Sequence, residues 1–173
     1  RNIMKLLDGR SLAFVSTFAD ELYSDDNYRE YKPWHYVNFP FDSSYEKHPK
    51  SEKGDLIVGI NTCVEVLKNQ SASKEDKVFH LKMLVHLIGD LHQPMHTGRY
   101  EDYGGSKIYL TFKGRKGSDN RTNLHVLWDS NLIDDFKMSY TEWSNHLQNK
   151  YRKEVVKQSN TLEWTFESHW WAR

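Results

Sequence analysis

The sequence predicts a mainly α-helical domain carrying one small β-hairpin. Three observations lead there. Apolar residues recur at helical spacing along most of the 173 residues. One short stretch, SKIYLTF (106–112), alternates apolar and polar instead. Long turn-rich runs separate these pieces, with no repeats and no low-complexity tract.

Residues 2–23 read as helix along Ile3, Leu6, Leu7, Leu12, Phe14, Val15, Phe18 and Leu22, with a break or restart near Gly9–Ser11. Residues 24–51 hold Asp, Asn, Ser, Tyr and three prolines and read as loop, with WHYVNF as a short extended piece. A helix is predicted from Lys53 to Lys68 along Leu56, Ile57, Ile60, Val64 and Leu67. Another opens at Ser73, whose hydroxyl can cap it with Asp76 three residues on, and runs to about Leu91. SKIYLTF and the Gly-bearing turn after it form the hairpin. Asn123–Phe136, Tyr140–Val156 and Thr161–Trp171 read as further helices, with Asn123 placed to cap the first of them.

Lys and Arg number 24 against 24 Asp and Glu, so no whole-molecule field names a partner. Six Trp, ten Tyr and eight Phe exceed the usual needs of a small core, and flat rings suit stacking on bases or sugars as well as packing. Cys63 is the single cysteine, which excludes an intrachain disulfide and a thiolate metal cluster. No run of about 18 apolar residues exists, so no membrane span is expected. No signal peptide opens the chain, which starts at Arg1 without Met and stops at HWWAR. We read 1–173 as a single domain cut at both ends from something longer.

HLIGDLHQPMH (86–96) packs three histidines and an aspartate into eleven residues of otherwise apolar sequence. His86 and Asp90, four apart on a helix, lie about 40° apart in azimuth and one turn apart in height, so both could grip one ion. His96 follows Pro94, where the helix should break, and a turned chain can bring it back to the same mouth. His125 and Asp129 in NLHVLWD repeat the i, i+4 pair on another helix, and Asp20 in STFADELY and His35 in PWHYVNF are upstream candidates. Neutral imidazole with carboxylate suits Zn²⁺ at about 2.0–2.2 Å. Zincs a few Å apart can share a bridging carboxylate and neutralise a phosphoryl group; Asp90, between His86 and His96, is the natural bridge. A lone His on an apolar face is more often a satisfied core residue, but burying this many ionisable groups for packing alone is costly. His92 points away from His96 and reads as outer-sphere or exposed, Trp128 reads as core, and His48, His80, His146 and His169 read as surface or structural.

These residues resemble a known family. HLIGDLHQPMH, the pair Gly104–Gly105 and then NLHVLWD, with STFADELY and PWHYVNFP upstream in the same order, are similar to the fungal single-strand-specific zinc nucleases and the plant bifunctional nucleases. These share a superfamily with the bacterial zinc-dependent phospholipases C, and LEWTFESHW looks like the family's next segment. The resemblance implies a phospholipase C / zinc nuclease-like helical fold with a three-zinc cluster at the bottom of a cleft. It assigns Asp20, His35, His86 and Asp90 to one zinc and His96, His125 and Asp129 to a second. In the family the third, paired with the first through Asp90, takes an N-terminal Trp and a nearby His. Neither is present here, so two ligand sets are expected in this chain.

The resemblance further implies hydrolysis of phosphodiester bonds in single-stranded DNA and RNA, with water activated beside Asp20, to 5′-phosphate products, and removal of 3′-phosphates. Where the family carries an Arg that stabilises the transition state, this sequence has Tyr23, so either Arg29 or another cation substitutes or turnover suffers. Tyr36 corresponds to the family's base-stacking aromatic and Asn38 to its base-reading polar residue, and Gly104 and Gly105 let a loop pass close to the cluster. A stacking slot favours unpaired strands. Two rivals remain: a zinc-dependent phospholipase C, which normally has Glu where Asp129 stands, and a non-catalytic zinc-stabilised helical module, which Tyr23 favours. The family's members imply a secreted or periplasmic location, and the absence of a cysteine pair points to a bacterial member.

Overall fold

Ser73 opens the helix on which the rest of the chain is assembled. Its hydroxyl accepts the Asp76 N–H at 3.0 Å and donates to the Asp76 carboxylate at 2.7 Å, which satisfies one of the first turn's orphan N–H groups. The structure, a computed structural model, describes residues 2–113, 120–152 and 159–173. Its helices are α1 (Asn2–Leu6), α2 (Leu12–Val15), α3 (Phe18–Tyr23), α4 (Leu56–Lys68), α5 (Lys74–Leu91), α6 (Leu124–Val126), α7 (Leu132–Asp135), α8 (Tyr140–Tyr151) and α9 (Thr161–Trp171). Strands β1 (Tyr109–Thr111) and β2 (Arg121–Asn123) pair antiparallel, with Leu110 opposite Thr122. The predicted class, mainly α with one hairpin, is the observed one. The Gly-bearing turn of the hairpin and the last residues of the expected Tyr140–Val156 helix lie outside the described residues.

Several boundaries move for local reasons. The first helical region is three short helices, because Asp8 and Gly9 take positive φ (51° and 83°) and end α1. The helix expected from Lys53 starts at Leu56: Gly54 has φ 82°, and Asp55 is the N-cap, its carboxylate accepting from Ile57 and Val58. WHYVNF is extended only from Tyr36 onward. Trp34 and His35 close a 3-10 segment, Asp26–His35, which Asp25 caps through the Asn27 N–H. The Trp34 indole then donates to the Lys53 carbonyl at 2.9 Å.

The core lies between α4 and α5. Leu56, Ile60 and Cys63 of α4 face Met83, Leu87 and Leu91 of α5, with Ala19, Trp34, Val37 and Phe39 closing the cluster; each buried Leu, Ile, Val, Met or Phe among them contributes about 1.5–3 kcal/mol by leaving water. Trp34 lies so close on Gly59 that a Cβ there would come 2.8 Å from its Cδ2. A smaller cluster of Leu7, Val15 and Leu81 moors α1 and α2 to α5. Burial raises the Cys63 thiol pKa to about 12, which leaves it inert at neutral pH. Among the described residues no helix is long and apolar enough to cross a membrane.

Candidate metal centre

The C-terminal half of α5 aims His86 and Asp90 at one point, as their i, i+4 spacing requires. His35 reaches the same point from the end of its 3-10 segment, and Asp20 from α3. His86 Nε2 is 3.2 Å from Asp90 Oδ2 and 3.5 Å from Asp20 Oδ1. His35 Nδ1 is 3.1 Å from Asp90 Oδ2, 3.8 Å from Asp20 Oδ1 and 3.2 Å from His86 Nε2. Beyond α5 the chain turns through Gln93 into a 3-10 turn, Pro94–Thr97, which returns His96 to the opening. There His96 Nε2 stands 3.1 Å from Asp129 Oδ1, and His125 Nε2 3.2 Å from Asp129 Oδ2. Asp20, His35 and His86 thus form one group able to hold a metal ion, and His96, His125 and Asp129 a second. Asp90 lies between them, its other oxygen 3.8 Å from His96 Nδ1.

The rings are oriented from behind. Nδ1 of His86 meets the Ser16 carbonyl at 2.6 Å, Nδ1 of His96 the His35 carbonyl at 2.6 Å, and Nδ1 of His125 the Gly104 carbonyl at 2.9 Å. A carbonyl only accepts, so each Nδ1 carries the proton and, in the neutral ring, each Nε2 presents a lone pair. Those lone pairs face carboxylate oxygens, an arrangement that calls for a cation between them. The spacings also suit zinc: the edge of a tetrahedron with bonds of about 2.0–2.2 Å is about 3.3–3.6 Å. Asp90 Oδ2 adds a second sign, being buried and without an aligned hydrogen bond although two imidazole nitrogens lie within 3.2 Å. Zinc therefore fits the residues present.

Without a metal, a proton takes the cation's place. Burial opposes charge on His86, but hydrogen bonding to Asp90, with the Asp90 and Asp20 carboxylates and the Ser16 carbonyl, outweighs it and raises the pKa to about 9. Burial likewise opposes ionisation of Asp90, yet the His35 and His86 rings bring its pKa down to about 2. Asp129 is held far below the carboxylate range, against burial, by His125, His96 and Gln93. His96 is shifted upward by Asp129 and Asp90 despite its burial.

The centre lies between two clefts that share Asp20, His96 and Asp129. One, of about 450 Å³, is lined by Tyr23, Tyr36, Asn38 and Tyr103. The other, of about 830 Å³, has an apolar wall that includes Trp128, Ile133, Phe136 and Trp143. Asp20 is the most open of the clustered carboxylates, its side chain 66% exposed. Tyr23 meets His35 edge to face at 5.4 Å, and the cation over its ring is Lys32, with Nζ 4.9 Å from the centroid. Gly104, with φ 58°, sits so close under Met95 that a Cβ would be 2.1 Å from its carbonyl.

Trp128 is a correction. Expected in the core, it is 37% exposed and lines the larger cleft. At 3.6 residues per turn Trp128 stands only about 60° from His125 and about 100° from Asp129, so it flanks the ligand face instead of opposing it; the helix also widens into a π turn at Leu127–Asn131. Asn123 does cap this helix, accepting the Val126 N–H at 2.8 Å. His92 is exposed, with its Nδ1 on the Ile88 carbonyl. Among the described residues His80 and His146 lie apart from both groups, His80 bonded to the Asp76 carbonyl and His146 stacked on Trp143.

Sequence reasoning passed over Gln93 and Tyr103. Gln93 caps the Pro94 turn: its Oε1 accepts the Met95 N–H at 2.5 Å, and this fixes the amide so that Nε2 donates to Asp129 Oδ1 at 2.7 Å. A polar amide before a proline, inside a run of ligands, was the available signal. Tyr103 precedes the glycine pair and lines the smaller cleft together with Tyr36.

A helical fold with histidines and aspartates gathered between two open clefts is the setting of a candidate metal-binding centre. Comparison with known proteins narrows the class. The S1/P1 nuclease profile matches residues 1–173. Endonuclease 4 of Arabidopsis thaliana is 31% identical over 96% of this chain and 56% of its own length. Endonuclease 2 of the same plant is 29% identical over 80% and 49%, and Nuclease S1 of Aspergillus oryzae is 30% identical over 75% and 45%. The chain belongs to the S1/P1 nuclease family. It spans about half the length of the curated relatives it matches.

Proposed function

We propose that residues 1–173 form one zinc-binding domain of an endonuclease that hydrolyses the phosphodiester bonds of single-stranded DNA and RNA to 5′-phosphate products and also removes 3′-phosphates. The observation that carries this reading is the pair of His/Asp groups flanking one buried carboxylate, Asp90, beside a tyrosine-walled cleft. The relatives named as endonucleases and nucleases supply the reaction class. A secreted or periplasmic location goes with the same reading.

Zinc held by Asp20, His35, His86 and Asp90 and by His96, His125 and Asp129 would supply Lewis-acid stabilisation of the phosphoryl oxygens and a nucleophilic water at neutral pH. The chain's own residues do the rest. Asp20, open to both clefts, accepts a hydrogen bond from the attacking water and orients it toward phosphorus. Tyr36, 46% exposed, offers a face on which one base stacks, and Tyr103 lines the same cleft. Asn38, with a buried side-chain oxygen lacking a partner, can both donate to and accept from a base edge. Tyr23 places a phenol, backed by the Lys32 ammonium, at the mouth where the phosphate enters. Because a base must leave its neighbours to enter the cleft, unpaired strands are favoured over duplex.

The test is cleavage by the zinc-loaded protein of single-stranded DNA and RNA, of the matching duplexes and of phosphatidylcholine, each with and without chelator. Chelator-sensitive cleavage of the single strands to 5′-phosphate ends is expected. Cleavage of the phospholipid alone would assign a phospholipase C. Bound zinc without any cleavage would leave a non-catalytic module.

A further inference from the structure

Ser168 and His169 are buried, 5% and 8% exposed, near the C-terminal end of α9, outside both metal groups. They reach the two ends of one turn. The Ser168 hydroxyl donates to the carbonyl of Leu91, the last residue of α5, at 2.6 Å. The His169 Nδ1–H donates to the carbonyl of Thr97, the last residue of the 3-10 turn. Both are helix-end carbonyls that would otherwise lack partners in a buried place. The residue before the first carbonyl is Asp90, and the residue before the second is His96.

The other side of the turn is held as well. The Val37 N–H donates to the His96 carbonyl at 2.8 Å and the Phe39 N–H to the Gly98 carbonyl at 3.2 Å. The His169 ring stacks on Phe39 with centroids 3.8 Å apart, so α9 touches both layers around His96. A buried imidazole is an expensive choice for packing alone; Leu or Phe would fill the space. Nε2 of His169 makes no aligned hydrogen bond, although the Pro40 backbone also interacts with the ring, so Nδ1 is the atom that supplies an aligned hydrogen bond.

We infer that Ser168 and His169 are positioning residues for the metal centre: they clamp the Leu91–Thr97 turn at both ends and so set the separation of Asp90, at the first metal group, from His96, in the second. The inference rests on the zinc reading above. The clamp acts through backbone carbonyls and touches neither ion nor substrate. Its loss therefore weakens metal binding at the second group, where His96 at the clamped end is one of three candidate ligands, more than at the first, where Asp90 stands beside Asp20, His35 and His86, all from outside the turn.

The experiment is a zinc titration of the metal-stripped full chain against a chromophoric chelator, with a parallel Co²⁺ titration read by its visible absorption. His169→Phe keeps the stack on Phe39 and removes the donor; His169→Asn restores an N–H close to the Nδ1 position; Ser168→Ala opens the other end. Leu67→Ala is the control, since it thins the separate cluster around Leu7, Val15 and Leu81 and lowers stability without touching the turn. We expect His169→Phe to weaken the weaker of two zinc-binding steps by about tenfold, with an altered Co²⁺ spectrum for that step, and His169→Asn to recover affinity to within about threefold. Two wild-type binding steps that are unchanged in His169→Phe and Ser168→Ala would overturn the clamp alone. Equal weakening by Leu67→Ala at a matched loss of melting temperature would overturn it too, as would a His169→Asn variant no better than His169→Phe. A wild-type chain that binds no zinc would overturn both the zinc reading and the clamp.

Discussion

The Nδ1 of His96 lies 2.6 Å from the backbone carbonyl of His35, so a side chain of the second metal group rests on the main chain of a residue in the first. The two groups are mechanically joined at this bond, and Asp90 joins them again from below. His96→Ala removes a ligand from one group and a support from the other. Metal analysis after dialysis should show about one zinc fewer, and the remaining zinc should bind more weakly by up to about tenfold.

Gln93→Ala should reproduce part of that loss without removing a ligand. Asp129 then keeps its two imidazole neighbours but loses the amide that holds Oδ1. A 10- to 100-fold drop in affinity of the second group is expected, read by chelator competition; the metal-free chain also loses the cap on the Met95 N–H, a cost of about 0.5–2 kcal/mol that melts with chelator measure separately.

The metal-free chain should show a distinctive pH profile. The His86 pKa is raised from 6.5 to about 9, so its contribution to stability is complete below about 6.5 and is lost as pH rises through 9. The Asp90 pKa is lowered from 3.8 to about 2, so its contribution is complete above about 4 and is lost as pH falls through 2. Thermal melts with chelator should be highest between these limits. Saturating zinc should invert the upper limb, because the ion needs unprotonated rings and binding releases protons.

Gly104→Ala should be costly for a reason unrelated to helix or strand propensity. The residue holds φ 58° and its Cβ would meet the Met95 carbonyl at 2.1 Å, so a destabilisation of about 2–5 kcal/mol is expected. The Gly104 carbonyl also carries His125; displacing it should lower zinc affinity in the same variant. Denaturant melts with and without zinc separate the two effects.

Tyr36→Ala tests the stacking face. Removing it should raise KM for a single-stranded substrate roughly 5- to 150-fold, the equivalent of about 1–3 kcal/mol per stacked base, and leave kcat largely intact. Tyr36→Phe should behave like wild type, because the ring and not the hydroxyl makes the contact.

Much of this was legible in the chain. His86 with Asp90 and His125 with Asp129 are local pairs, and helical spacing alone puts each on one face. Ser73 and Asn123 declared their caps through side-chain chemistry next to an apolar run. What was not legible depended on distant partners or irregular backbone. Gly54 and Asp55 moved the start of α4 because the left-handed glycine and the capping carboxylate act together. Trp128 was misplaced because a large apolar ring reads as core, whereas three residues after His125 and one before Asp129 puts it beside the ligand face, on the apolar wall of a cleft. The role of Gln93 needed Asp129, 36 residues away, to be visible, and His169 needed Thr97, 72 residues back.

The carbonyl of Ser16 receives His86 in the short link between α2 and α3, and four residues on Asp20 enters the same centre. The α2–α3 region is thus tied to α5 by the Ser16–His86 hydrogen bond as well as by a small greasy patch. If zinc joins Asp20 to His86, stripping it would loosen that tether first, and limited proteolysis would then nick the chain between Val15 and Phe18 well before the paired core helices give way.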